Sequence, residues 1–345
     1  MRSTDSEAVA EPADRPAAPP ALDTEPRRGR RRPPRALLAL VALVVVVGVL
    51  AAAFVARELL VSGPGVAGRL TAPVVAPSGA VLFAGAGDIA SCGNEYDTRT
   101  GEYLAALAPE TSIFTTGDNA YDRGTEREFA DCYDPVWGPL RDRTYPVPGN
   151  HEYATTDAAP YFEYFGDRVG EPGRSWYAFD LNGWRVYALD SNCLVAEVCA
   201  EGAVEAQQEW LRADLAAHPA RCIAALWHHP RFSSGRHGGL TAVQPLWEAL
   251  TTAGADVALV GHDHLYERFV PLDANGSRDV AGLRQFVVGT GGKELYGFRM
   301  RDPRAEARDD ATYGVLVLTL WPDRYDWRFV PTDGTFTDEG SATCS

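Results

Sequence analysis

Metal-binding donor side chains recur along this chain beside glycines and behind apolar runs, and that order restricts which folds can gather them. The series is Gly87-Asp88, Gly117-Asp118, Gly149-Asn150-His151-Glu152 and Gly261-His262-Asp263-His264. His228 lies between the third and fourth, and Tyr121 follows Asp118 by three residues. Of seven histidines, only His218 falls away from these motifs, since His229 and His237 lie near His228. A chain poor in histidine that gathers it beside Asp and Asn has the donors of a metal site.

Strand-like apolar runs occupy 80–86, 111–116, 184–189, 221–227, 256–260, 284–288, 313–320 and 325–330. Helical spacing covers 203–217, where Val204, Trp210, Leu211 and Leu215 share a face, and 242–253. Strands alternating with helices early and dominating late predict an α/β fold, two mixed β-sheets in a sandwich flanked by helices. Asp88, Asp118, His228 and His262 each come at or just past the end of a run. Open α/β sheets bind ligands at the carboxyl ends of their strands, so the pattern puts these donors on one edge.

The first 56 residues differ in kind. Residues 1–35 hold few large apolar side chains and predict a disordered, basic cytoplasmic segment. Arg27, Arg28, Arg30, Arg31, Arg32 and Arg35 crowd against the uncharged run Ala36–Ala56. At about 1.5 Å per residue that run spans a bilayer, which predicts one N-terminal transmembrane helix preceding the sandwich. The arginines place its start in the cytoplasm and everything after Arg57 outside. A cleaved signal sequence ending near Ala51–Ala53 is the competing reading, giving a secreted protein. Residues 57–78, rich in Gly and Pro, predict a linker, leaving 79–345 as the catalytic domain.

The formal net charge is −15, all of the acidic excess lying beyond residue 56. That opposes nonspecific binding to nucleic acid. All six cysteines are in the exported part, where disulfides form, and fifteen pairings exist. Cys193 and Cys199 can close a short loop; Cys92 with Cys132 and Cys222 with Cys344 is a pairing the spacing does not single out.

Each motif has a bland reading. Gly166-Asp167 is a turn, and any one histidine alone would be a hydrogen-bonded core or surface residue. Gly289-Thr290-Gly291-Gly292-Lys293 lacks the first glycine and the Ser/Thr of a phosphate loop and predicts a tight turn at the site rim. Tyr161, Phe162, Tyr164 and Phe165 predict core. No serine has the setting of a nucleophile elbow.

The ordered set resembles the calcineurin-like metallophosphoesterase family, and within it the purple acid phosphatase branch, over residues 80–330. Most of that family carries a histidine where this chain has Ala90; in the purple branch the tyrosine of Gly-Asp-x-x-Tyr replaces that ligand, and Tyr121 is present. The resemblance implies Fe(III) on Asp88, Asp118, Tyr121 and His264. It implies a divalent Fe, Zn or Mn ion on Asp118, Asn150, His228 and His262, with Asp118 bridging. Two carboxylates and a phenolate suit the harder ion, and the more neutral set the divalent one. It also implies hydrolysis of small phosphate monoesters by in-line attack of a metal-bound hydroxide, with His151 or His237 as general acid. The alternatives are a Mn or Zn phosphodiesterase or nucleotidase on the same fold, and a binding protein without activity.

Overall fold

A computed structural model describes residues 71–345. The predicted cytoplasmic segment, the transmembrane span 36–56 and most of the linker lie outside the described residues. Among the described residues no helix is long and apolar enough to cross a membrane. The end of the linker lies along the domain, with Thr71 Oγ1 donating to Pro331 O at 3.2 Å and Val74 N to Tyr103 Oη at 3.3 Å.

The strands, in chain order, are β1 Val81–Ala86, β2 Ala90–Ser91, β3 Ser112–Thr115, β4 Ala120–Tyr121, β5 Thr144–Tyr145, β6 Tyr177–Leu181, β7 Trp184–Ala188, β8 Cys222–Leu226, β9 Val257–Val260, β10 Tyr266–Phe269, β11 Arg284–Val288, β12 Ala305–Asp309, β13 Gly314–Trp321, β14 Arg324–Pro331 and β15 Asp338–Thr343. The longer helices are α1 Tyr96–Ala106, α2 Ala159–Phe165, α3 Ala203–Ala217 and α4 Gln244–Thr252. Every predicted strand and both predicted helices are present.

Two mixed sheets form, ordered β15-β14-β13-β1-β3-β5 and β12-β10-β11-β9-β8-β7-β6. The parallel part of the first is β1, β3 and β5; that of the second is β7, β8, β9 and β11. Strand alternation sorts the core. Ala224 and Leu226 of β8 share the inter-sheet core with Phe83 of β1 and Leu316 and Leu318 of β13. Ile223 and Ala225 point the other way, into a second core with Leu211 of α3 and Leu246, Trp247 and Leu250 of α4. On α3 the fully covered face is Ala203, Gln207 and Leu211, while Val204, Trp210 and Leu215 are only partly buried at its edge. The aromatic cluster is core as predicted for Tyr161, Phe162 and Phe165.

Three disulfides close, Cys92–Cys132, Cys193–Cys199 and Cys222–Cys344. The first ties the loop after β2 to the segment after β4, both of which flank the donor loops.

Candidate metal centre

Because β1, β3 and β5 are parallel, as are β8 and β9, the loops at their carboxyl ends converge. Asp88 leaves β1, Asp118 leaves β3, Asn150 and His151 follow β5, His228 leaves β8, and His262 and His264 follow β9. The miniature sheet pairs Ala90 with Ala120 and Ser91 with Tyr121, which brings the Tyr121 segment beside the Asp88 loop.

The glycines of the motifs are there because these loops touch. A Cβ on Gly149 would stand 2.0 Å from Asp118 Oδ1. Gly117 has φ +90°, and its Cβ would meet His228 Nδ1 at 2.6 Å. The donors themselves are bent into the left-handed region, with φ of 58° at Asp88, 50° at Asp118 and 69° at His262. Asp and His tolerate this conformation better than most residues, at a cost of about 1 kcal/mol each.

The donor atoms fall into two groups with one shared atom. Tyr121 Oη lies 3.0 Å from both Asp88 Oδ1 and Asp118 Oδ2 and 3.2 Å from His264 Nε2. His264 Nε2 is 3.3 Å from Asp88 Oδ1. In the second group His228 Nε2 lies 3.4 Å from Asp118 Oδ2, 3.1 Å from Asn150 Oδ1 and 3.2 Å from His262 Nδ1. Ligands at about 2.1 Å and right angles around one ion stand about 3 Å apart. The spacing therefore fits two ions that share Asp118 Oδ2.

The opposite edge of each donor is tied down. Asp88 Oδ2 accepts from His262 N and Asp118 Oδ1 from His151 N, both at 2.9 Å, leaving Asp88 Oδ1 and Asp118 Oδ2 for the cluster. His228 and His264 each place Nδ1 at 2.7 Å from a backbone carbonyl, of Thr116 and Glu294. A carbonyl can only accept, so Nδ1 carries a proton and Nε2 is the nitrogen turned to the cluster. His262 presents Nδ1 instead.

The electrostatics favour a cation. Burial, then the Asp118 and Asp88 charges, push the Tyr121 phenol well above its ordinary value, so a positive charge is needed to make it a phenolate. Burial alone would raise Asp118, but His228 and His151 outweigh it and hold the carboxyl well below the usual range. Burial, with His228 and His229 beside it, drives His262 well below its ordinary value and keeps it neutral. His228 is depressed by burial yet lifted to about 9 by Asp118, so an ion entering there displaces a proton.

His151 and His237 flank the cluster. The His151 ring packs 4.4 Å from Tyr121 between centroids, with Nε2 3.8 Å from Asp118 Oδ2. His237 is exposed, its ring 4.5 Å from that of His262. His229 is buried, its Nδ1 2.9 Å from Ser191 Oγ and its ring 4.5 Å from that of His262, and it offers a donor nitrogen within 4.8 Å of those of His228 and His262.

Four residues near the site have roles that the sequence did not assign, although Glu152, Asp263 and Lys293 stand in its motifs. Glu152 is buried and accepts backbone N–H groups from two donor loops. Asp263 holds the loop that carries His237. Tyr296 donates from its hydroxyl to His262 O at 2.8 Å. Lys293, the chain's one lysine, bonds Asp122 Oδ1 at 2.8 Å and lies 4.7 Å from the Tyr121 ring centroid. The segment around it is a rim turn against the first motif, Gly291 N donating to Gly87 O and Lys293 N to Asp88 O, both at 2.9 Å.

The chain is similar in sequence and in fold to known proteins. The chain is 28% identical over 302 residues to purple acid phosphatase 15 of Arabidopsis thaliana, covering 76% of this chain and 54% of that protein. It is 27% identical over 237 residues to acid phosphatase type 7 of Homo sapiens, covering 57% and 50%. The chain thus spans about half the length of the curated relatives it matches. The fold superposes on purple acid phosphatase PPD1 from yellow lupin (Lupinus luteus) seeds with a TM-score of 0.64 at 16% identity, covering 79% of this chain and 55% of that one. The family model described as calcineurin-like phosphoesterase matches residues 74–266, more than half of the chain, and on that match the protein belongs to the calcineurin-like phosphoesterase family.

Proposed function

We propose that the protein is a purple acid phosphatase-like hydrolase of small phosphate monoesters. Fe(III) would be held by Asp88, Asp118, Tyr121 and His264, and a divalent Fe, Zn or Mn ion by Asp118, Asn150, His228 and His262. The observation that carries the reading is Tyr121 Oη, equidistant at 3.0 Å from two buried carboxylates. A neutral phenol has one proton and can donate it to only one of the two anions at a time, whereas a phenolate sharing a trivalent ion with them is held together with both. Bound there, two ions supply Lewis-acid polarisation of the phosphate and a water of lowered pKa.

The chain's own residues do the rest. The backbone N–H groups of His262 and His151 fix the Asp88 and Asp118 carboxylates. His151 turns Nδ1 to the carbonyl of Asp122, so any proton it passes to a substrate leaves from Nε2. His237, on the His262 side and open to solvent, is the second proton donor to a leaving alkoxide. We also propose that residues 36–56 anchor the chain with the domain outside the cytoplasm, the setting in which its three disulfides form.

The test is turnover of an aryl phosphate monoester against the matching bis-aryl diester, with metal analysis of the same sample. Preference for the monoester and two ions per chain, one of them iron, supports the reading. Preference for the diester with Mn or Zn in both places replaces it, and no turnover by metal-replete protein rejects it.

A further inference from the structure

We infer that Asp263 is a positioning residue for His237, so that the residue between the two histidines of the last motif sets the place of the proton donor. The inference rests on the proposed role of His237.

Asp263 is fully buried between His262 and His264. Its Oδ1 accepts the backbone N–H of His237 at 2.9 Å, and its Oδ2 accepts the hydroxyl of Ser233 at 2.5 Å. Ser233 Oγ in turn accepts from Gly235 N at 2.9 Å. Residues 233–237 therefore wrap one carboxylate. The wrap is close enough that a Cβ on Gly235 would stand 2.4 Å from Asp263 Cγ, which explains a glycine there. Four residues further along, buried Glu267 holds the same loop, accepting Ser234 N at 2.7 Å and Ser234 Oγ at 2.5 Å.

Packing alone does not call for this arrangement. A buried carboxylate is costly, and an apolar side chain of similar size would fill the space without desolvating a charge. What the carboxylate adds is a directional tie. His237 is exposed, and among the described residues its ring makes no hydrogen bond, only packing against the rings of His262 and Tyr296. Its backbone is instead referenced to the segment that carries two candidate ligands. A shift of about 1 Å between donor and substrate is enough to lower a rate about 10²-fold.

The experiment compares Asp263→Leu, which keeps the branched shape with bulkier methyls and deletes both acceptors, with Asp263→Asn, which keeps Oδ1 for His237 N–H. Both are made in the native chain and in a His237→Ala background, with kcat, KM and metal content measured on an aryl phosphate. Asp263→Leu is expected to keep two ions and a near-native KM while kcat falls about 10²-fold, as for His237→Ala. Asp263→Asn retains most of the activity. In the His237→Ala background Asp263→Leu has no further effect, because residues acting through one another are not additive. If Asp263→Leu does not fold, Ser233→Ala tests the same tie, with a smaller loss of kcat that also vanishes in the His237→Ala background. Additive losses, loss of metal, or an Asn variant as poor as Leu would each overturn the inference. Native kcat in His237→Ala alone would instead reject the role of His237, and the two failures are separable.

Discussion

Glu152 Oε2 accepts the backbone N–H of Asp118 at 3.0 Å and that of Gly149 at 2.7 Å, joining the Asp118 loop to the loop of Asn150. Its other oxygen accepts from Asn119 N at 2.8 Å and Ala120 N at 3.2 Å. One buried carboxylate thus satisfies four backbone donors from two closely approaching loops. Burial, then the nearby Asp118 charge, lift it to about 7 despite those donors.

Glu152→Ala should therefore destabilise the domain by about 3 kcal/mol or more, because buried N–H groups lose their acceptor. It should also weaken metal affinity about 10–100-fold, although Glu152 is not one of the proposed ligands. Denaturant unfolding of the metal-free protein and a metal-binding titration measure the two effects. An alanine variant with native stability would remove Glu152 from this role.

Asp118→Ala should lower metal occupancy at both positions, since Asp118 Oδ2 is the atom the two donor groups share. Metal analysis after dialysis reads this directly. Two tightly held ions per chain in the variant would rule out the bridge.

Tyr121→Phe keeps the ring packed against His151 and deletes the phenol oxygen. Iron-loaded native protein should show a visible absorption band that the variant lacks, with the far-ultraviolet circular dichroism unchanged. A colourless native protein loaded with iron, or a variant that stays coloured, points to the Mn or Zn phosphodiesterase instead.

Glu267 gives a pH dependence of stability. Burial raises its carboxyl from an ordinary 4.5 to about 7, against the pull of the Ser234 donors. A folded-state value above the unfolded one means that the contribution is complete below about 4.5 and is lost as pH rises through about 7. Glu267→Gln does not titrate, so relative to it the native protein should lose up to about 3 kcal/mol between pH 4.5 and 8. Parallel melting curves test the sign; a difference between the two proteins that does not change with pH would show that Glu267 ionises normally.

The order of apolar runs and donor motifs determined a good deal without tertiary information. Each of Asp88, Asp118, His228 and His262 follows a buried strand, and burial on both faces makes such strands continuous apolar runs. Helix α3 was readable because its period is local. The expectation of a purple-type ligand set came from two positions, Ala90 and Tyr121, read through the family resemblance. Among the strands, those that escaped were the two-residue β2, β4 and β5 and the longer β6, β10, β12 and β15, of which β6, β12 and β15 lie at sheet edges; in β12 polar alternation replaces apolar continuity, the strand reading Ala-Glu-Ala-Arg-Asp. Only the tertiary structure decided which oxygen of each carboxylate faces the cluster, because the tie on Asp88 comes from His262 N, 174 residues away. It also decided the work of Glu152, Asp263 and Tyr296, whose partners lie on other loops. A side chain's chemistry is carried by its own residue type, but its direction is set by hydrogen bonds that form only when distant strands stand side by side.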